Sequence, residues 1–123
     1  MFQLRGMWGL EKRQRYWLWS GHTDMRQGFD GLSGLVRREL PDRDPLSGDA
    51  FIFLNHRHTH LKILVWEDGG FLLYYKRLES GTFERPVTDG SGGVRWDELI
   101  LMVQGVVLKG LRRRKRYVFP LEK

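Results

Sequence analysis

The sequence predicts an α+β fold: a mainly antiparallel meander sheet of four to five strands packed with two helices, ending in a basic C-terminal tail. Three observations carry this expectation. Ala50–Asn55, Leu61–Glu67 and Phe71–Leu78 are consecutive runs rich in aromatic and β-branched residues, each of ordinary strand length. The connections between them are too short for the crossovers that parallel strands need. Helical periodicity appears only before and after this block, and strands grouped apart from helices argue against a doubly wound parallel sheet.

Taken in order, Tyr16–Ser20 (YWLWS) reads as a first strand bounded by Gly21. Met25, Phe29, Leu32, Val36 and Leu40 then recur at helical spacing, which predicts a helix from about Met25 to Leu40. Asp24 is expected as its N-cap, with Gln27 completing a capping box. Arg37 and Arg38 suit the negative end of its dipole, and Pro41 ends it. Gly28, Gly31 and Gly34 are the anomaly, because each glycine in a helix interior costs about 0.8–1.0 kcal/mol relative to alanine. A strip without side chains lets something approach closely. The aromatic sheet is the expected neighbour, and a partner-docking or DNA-backbone face beginning at Arg26 is the alternative.

Pro41–Asp49 is a loop by its two prolines, Ser-Gly and three aspartates. His56–His60 joins the first two strands of the meander, and Asp68-Gly69-Gly70 is a hairpin signal between the next two. Both faces of Leu61–Glu67 are largely apolar, so the middle of the sheet is expected to be covered on both sides. Thr82–Val87 reads as a further strand that Pro86 confines to an edge, and Thr88–Gly93 as a flexible loop. The second helix is predicted over Trp96–Val107, with Trp96, Leu99, Ile100, Val103 and Val107 on one face and Asp97 and Glu98 in the first turn.

With 123 residues the chain holds one domain's worth of core. We assign residues 1–108 to a single globular domain, with 1–15 at its periphery, and 109–123 to the tail. There are no cysteines, which excludes disulfides, thiolate metal sites and thiol nucleophiles. Charges interrupt the N-terminal stretch, so it does not read as a signal peptide, and no apolar run approaches the ~18 residues of a membrane span. A cytoplasmic protein with no membrane partner is expected.

The charge distribution is the most informative feature. Residues 1–108 hold fourteen basic and fourteen acidic residues, whereas residues 109–123 hold seven basic residues and one acid, Glu122. The whole net charge of +6 therefore lies in the last fifteen residues. Lys109 and the run Arg112, Arg113, Arg114, Lys115 and Arg116 call for an acidic partner, and Tyr117 follows for stacking. Nucleic acid offers a dense row of phosphates and releases counterions when these are neutralised. Arg26, Arg57, Lys62, Lys76 and Arg77 are expected to assist from the globule.

His56, His58 and His60 would point the same way if their segment were extended, a pattern that suits zinc. Their place in a strand connection and the lack of a nearby fourth ligand favour a polar loop, and no metal is predicted. Asp24, Asp30, Asp42, Asp44, Asp49, Glu67 and Asp68 could in principle furnish a two-metal nuclease, but the needed strand with Asp/Glu-x-Lys after an earlier Asp is absent around Leu61–Glu67. No serine sits in a nucleophile elbow. The sequence predicts no enzyme, no catalytic residue and no cofactor.

Four blocks carry a family resemblance: Thr23-Asp24-Met25-Arg26-Gln27-Gly28-Phe29-Asp30-Gly31-Leu32; Asp44-Pro45-Leu46-Ser47-Gly48-Asp49-Ala50-Phe51-Ile52-Phe53; Leu61-Lys62-Ile63-Leu64-Val65-Trp66; and Gly70-Phe71 followed by Lys76-Arg77-Leu78-Glu79-Ser80-Gly81-Thr82-Phe83. In this order, over about Tyr16–Val107, they resemble the TnpB-type, Orf2-like proteins of the insertion sequence sixty-six family, which are distinct from the RNA-guided nucleases sharing the TnpB name. The resemblance implies an accessory protein encoded beside a larger transposase. It carries over no catalytic residue. In this chain His56–His60 stands where an Arg-rich hairpin loop is usual. The expectation is thus a non-enzymatic accessory protein for transposition that binds DNA and contacts the transposase. The alternatives are a protein–protein module without DNA binding and a small metal-dependent nuclease.

Overall fold

The computed structural model describes residues 10–86 and 90–104, together with the backbone of 106–107 and 112–113. Five strands form one sheet: β1 (Tyr16–His22), β2 (Ala50–Leu54), β3 (His60–Glu67), β4 (Gly70–Arg77) and β5 (Gly93–Val94). The order across it is β4-β3-β2-β1-β5. Helix α1 (Phe29–Glu39) lies between β1 and β2 in the chain, and α2 (Trp96–Gln104) follows β5.

The fold is α+β as the sequence predicts, but the sheet is mixed. β2, β3 and β4 form the expected antiparallel meander, and β5 is antiparallel to β1. β1, however, runs parallel to β2, with Tyr16 opposite Ala50 and Leu18 opposite Ile52. The short connections of the meander say nothing about the long one. Residues 23–49 contain a helix and are ample for a crossover, which needs a dozen or more residues. β5 straddles the end of the predicted Thr88–Gly93 loop, and its two residues carry no periodicity that could announce it. Thr82–Pro86 forms no strand; it crosses the sheet face, where Phe83 is buried and donates its N–H to the His58 carbonyl at 2.7 Å.

The Asp68-Gly69 hairpin forms as read. Both residues have positive φ, 50° and 83°, as a two-residue turn matching strand twist requires. Both sheet faces are covered. Leu61, Ile63 and Val65 of β3 join Tyr16, Leu18, Ile52 and Leu54 against Leu10, Phe83 and the Leu99–Met102 side of α2. On the other face Phe51, Phe53 and Leu64 pack on Leu32 and Val36 of α1, flanked by Trp17, Trp19, Phe71 and Leu73. Leu10 is fully buried in the core layer, whereas Lys12, Arg13 and Arg15 are exposed; residues 1–9 lie outside the described residues.

α1 begins later than the periodicity predicts. Its N-cap is Gly28, with no side-chain cap, and Asp24 serves a separate turn: its carboxylate accepts the Arg26 N–H at 2.8 Å, and its carbonyl the Gln27 N–H at 3.1 Å. The expected contact of the glycine strip with the sheet does not form either. A Cβ at Gly28 would meet nothing within 4 Å, and one at Gly34 only the Arg38 guanidinium at 3.9 Å. A Cβ at Gly31 would overlap the flexible Gln27 carboxamide. Leu32 and Val36 claim the sheet-facing side, which turns the glycines away from it. α2 stops at Gln104, short of the predicted Val107. Val106–Val107 (β6) instead pairs antiparallel with Arg112–Arg113 (β7).

Candidate nucleic-acid interface

The topology gathers several of the predicted cations at one end of the sheet. β1 and β2 are parallel, so their C-terminal ends lie together. β3 starts at that end and β4 finishes there, with His60 opposite Arg77. Arg26 follows β1, Arg57 sits in the β2–β3 loop, and Lys76 and Arg77 close β4. Sequence spacing alone could not show this convergence.

These cations differ in what they already hold. The Arg26 side chain is 91% exposed and grips Asp24, Nη2 to Oδ2 at 2.6 Å. That guanidinium and the turn hydrogen bond pull the Asp24 carboxyl down to about 2, and Asp24 in turn raises the Arg26 pKa. Arg57 is exposed. Arg77 pairs with Glu79 at 3.0 Å, and Lys76 Nζ donates to the Val103 carbonyl at 3.2 Å.

Lys62 is the exception. It is only 6% exposed. Its ammonium donates to the Met25 and Gln27 carbonyls, both at 2.7 Å, and lies 4.5 Å from the centre of the Tyr75 ring. The physical reason is register: Lys62 alternates with Leu61 and Ile63 onto the α1 side of β3, under the Thr23–Gly28 segment, where two carbonyls lack helical partners. Its charge is spent on positioning the loop that presents Arg26, not on the solvent face. Sequence reading missed this link between two of the signature blocks. A lysine amid apolar residues on a central strand was its only trace.

Arg112 and Arg113 form β7. Lys109, Arg114, Lys115, Arg116 and Tyr117 lie outside the described residues. Two further arginines act structurally. Arg85 donates to the Trp19 and Gly21 carbonyls on the outer edge of β1, and its burial lowers its pKa. Arg43 lies 3.6 Å over the Trp17 ring, whose indole N–H donates to Asp49 at 2.9 Å.

The histidines do not form the extended ligand row. Asn55 Oδ1 accepts the N–H groups of Thr59 and His60, and His58 adopts φ 60°, so the segment is a tight loop. His56 turns to His22, Nδ1 to Nδ1 at 3.1 Å, while His60 turns to Asn55 and Thr59. Among the described residues no three His, Asp or Glu side chains are grouped to hold a metal ion. The carboxylates are equally dispersed: Asp44 caps its own turn at Leu46, and Asp49 binds Arg15 and Trp17. No helix among the described residues is long and apolar enough to cross a membrane.

Comparison with known proteins agrees with the signature blocks. Two proteins of Sinorhizobium fredii (strain NBRC 101917 / NGR234) are similar to this chain. Uncharacterized protein y4hO is 42% identical over 77 residues, covering 62% of this chain and 65% of the relative. Uncharacterized protein y4jC is 37% identical over 93 residues, covering 75% and 79%. The chain thus spans just under two thirds of the length of the first relative. No solved structure matches. The family model described as IS66 Orf2 like protein matches residues 14–113, so the match runs from the start of β1 through β7, and the chain belongs to the IS66 Orf2-like family.

Proposed function

We propose that this protein is a non-enzymatic accessory factor that binds DNA through Lys109 and the Arg112–Arg116 run and contacts the transposase of its element through the globule. The observation that supports this most is the separation of charge: a neutral residues 1–108 followed by seven cations in fifteen residues. Such an arm binds phosphate without reading bases, so it positions the protein on DNA and leaves choice of site to other components. Arg26, Arg57, Lys76 and Arg77 supply a second basic area at the end of the sheet. A protein–protein role for the globule is favoured by the same ion pairs, since Arg26 and Arg77 already hold carboxylates.

The test is a mobility-shift titration on duplex DNA over a range of salt. The intact chain should bind with a steep salt dependence, whose slope falls by about 0.9 for each phosphate contact removed. Binding should be lost when the chain is cut after Leu108, and equally when Arg112–Arg116 are changed to glutamine in the full-length chain. Undiminished binding by either variant would refute the assignment to the tail. Capture of the transposase without DNA, together with no shift at low salt, would establish the protein–protein reading. DNA cleavage in Mg²⁺ or Mn²⁺ that vanishes with chelator would overturn the absence of catalysis.

A further inference from the structure

The two edges of the sheet are treated differently. At the β1 edge, β5 is only two residues long, and the Arg85 guanidinium takes up the Trp19 and Gly21 carbonyls beyond it. That edge is closed to another strand. At the other edge β4 runs for eight residues, paired to β3 at every position from Gly70 to Arg77 with no bulge and no proline. Among the described residues nothing pairs with its outer side. Natural sheets blunt such edges or use them.

The backbone chemistry of that edge follows from the hairpin. In a two-residue turn the closing pair, Glu67 and Gly70, exchanges both hydrogen bonds. Alternation then aims the N–H and C=O groups of Gly70, Leu72, Tyr74 and Lys76 at β3, and those of Phe71, Leu73, Tyr75 and Arg77 outward. The same four outward residues place their side chains on the α1 face, where Tyr75 is 55% exposed. Phe29, 48% exposed, stacks on Phe71 with ring centres 6.5 Å apart. Exposed aromatic surface therefore accompanies the exposed backbone.

We propose that β4 pairs antiparallel with β4 of a second copy of this chain, joining two five-stranded sheets into one of ten strands. The register that uses every outward group sets Tyr74 opposite its own copy, Leu73 opposite Tyr75, and Phe71 opposite Arg77. In it Leu73 of the second copy covers the exposed Tyr75, and the Arg77 cation meets the Phe71 ring. The charges agree. The hairpin corner carries Glu67 and Asp68, while the far end carries Lys76 and Arg77, the latter paired with Glu79. Antiparallel pairing brings the acidic corner of each copy to the basic end of the other. A two-fold axis makes this contact self-complementary and closed, so it stops at two.

Because the chain has no cysteine, the register can be tested by placing one. Residues at the two-fold, in a non-hydrogen-bonded antiparallel pair, have Cα atoms about 4.5 Å apart, within disulfide reach. Tyr74→Cys in the full chain should form disulfide-linked dimers much faster than Lys76→Cys, whose copies lie apart in this register. Sedimentation equilibrium of the unmodified chain should show a monomer–dimer equilibrium. Of the strand's backbone groups Tyr75→Pro removes one outward N–H, at the kind of site where an edge strand tolerates proline, and it also removes the ring that lies over Lys62. It should keep the far-UV circular dichroism and sediment as a monomer. A monomeric unmodified chain at every soluble concentration, equal cross-linking of the two cysteine variants, or a folded Tyr75→Pro variant that still dimerises would each overturn the proposal.

Discussion

At the scale of single residues, Lys62 is the side chain whose role changes most between sequence and structure. Its ammonium supplies the donors for two carbonyls of the Asp24–Gly28 turn, so Lys62→Met keeps the stem and removes them. Leaving buried acceptors unpaired costs about 1–3 kcal/mol. The unfolding free energy should fall by that amount, read as a lower denaturant midpoint with little change in slope. The salt dependence of DNA binding should stay as it was, whereas a lysine that contacts phosphate would show the reverse pattern. Asp24 gives a pH expectation of definite sign. Its folded carboxyl titrates near 2, below the usual carboxylate range, so the Asp24–Arg26 pair is intact at neutral pH. Its contribution is present above the ordinary carboxylate range and is lost only as pH falls through about 2. A side-chain NMR titration of Asp24 should show a midpoint near 2, which Arg26→Ala should move upward, because the guanidinium is the main cause of the shift.

At the scale of elements, α1 shows how periodicity and propensity divide their authority. The apolar spacing correctly named Leu32 and Val36 as the buried face. It placed the helix start four residues too early, because Met25 continues the pattern while Gly28 ends the helix. Asp24 and Gln27 match a capping box in composition, yet the same groups close an independent turn tied down by Lys62. The glycine strip then faces away from the sheet, and at Gly28 and Gly34 a methyl group has room. Gly34→Ala should therefore stabilise the protein by about 0.8–1.0 kcal/mol, the propensity gain of an unobstructed helix position. Thermal and denaturant melts check this directly. A gain in stability joined to a loss of transposition would identify the strip as a surface that a partner approaches closely.

At the scale of the whole molecule, the meander, its hairpin turn, both helices and the two-sided burial of β3 were legible in the sequence. Each rests on local periodicity or on turn residues such as Asp68 and Gly69. The placement of β1 was not. Aromatic content and length identify a strand, but its partner and direction depend on where a 27-residue connection returns the chain. The mixed sheet follows from that choice, as does the gathering of Arg26, Arg57, Lys76 and Arg77 at one end. The sequence by itself determined the strand and helix inventory, the family and the segregation of charge into the last fifteen residues, because composition, spacing and signature blocks are local properties of the chain. Only the tertiary structure decided that β1 runs parallel to β2, that Lys62 points inward to hold a turn, that the glycines face away from the sheet, and that β4 is the edge strand among the described residues. Those outcomes depend on which surfaces compete for the same core, and that competition is settled between residues far apart in the chain.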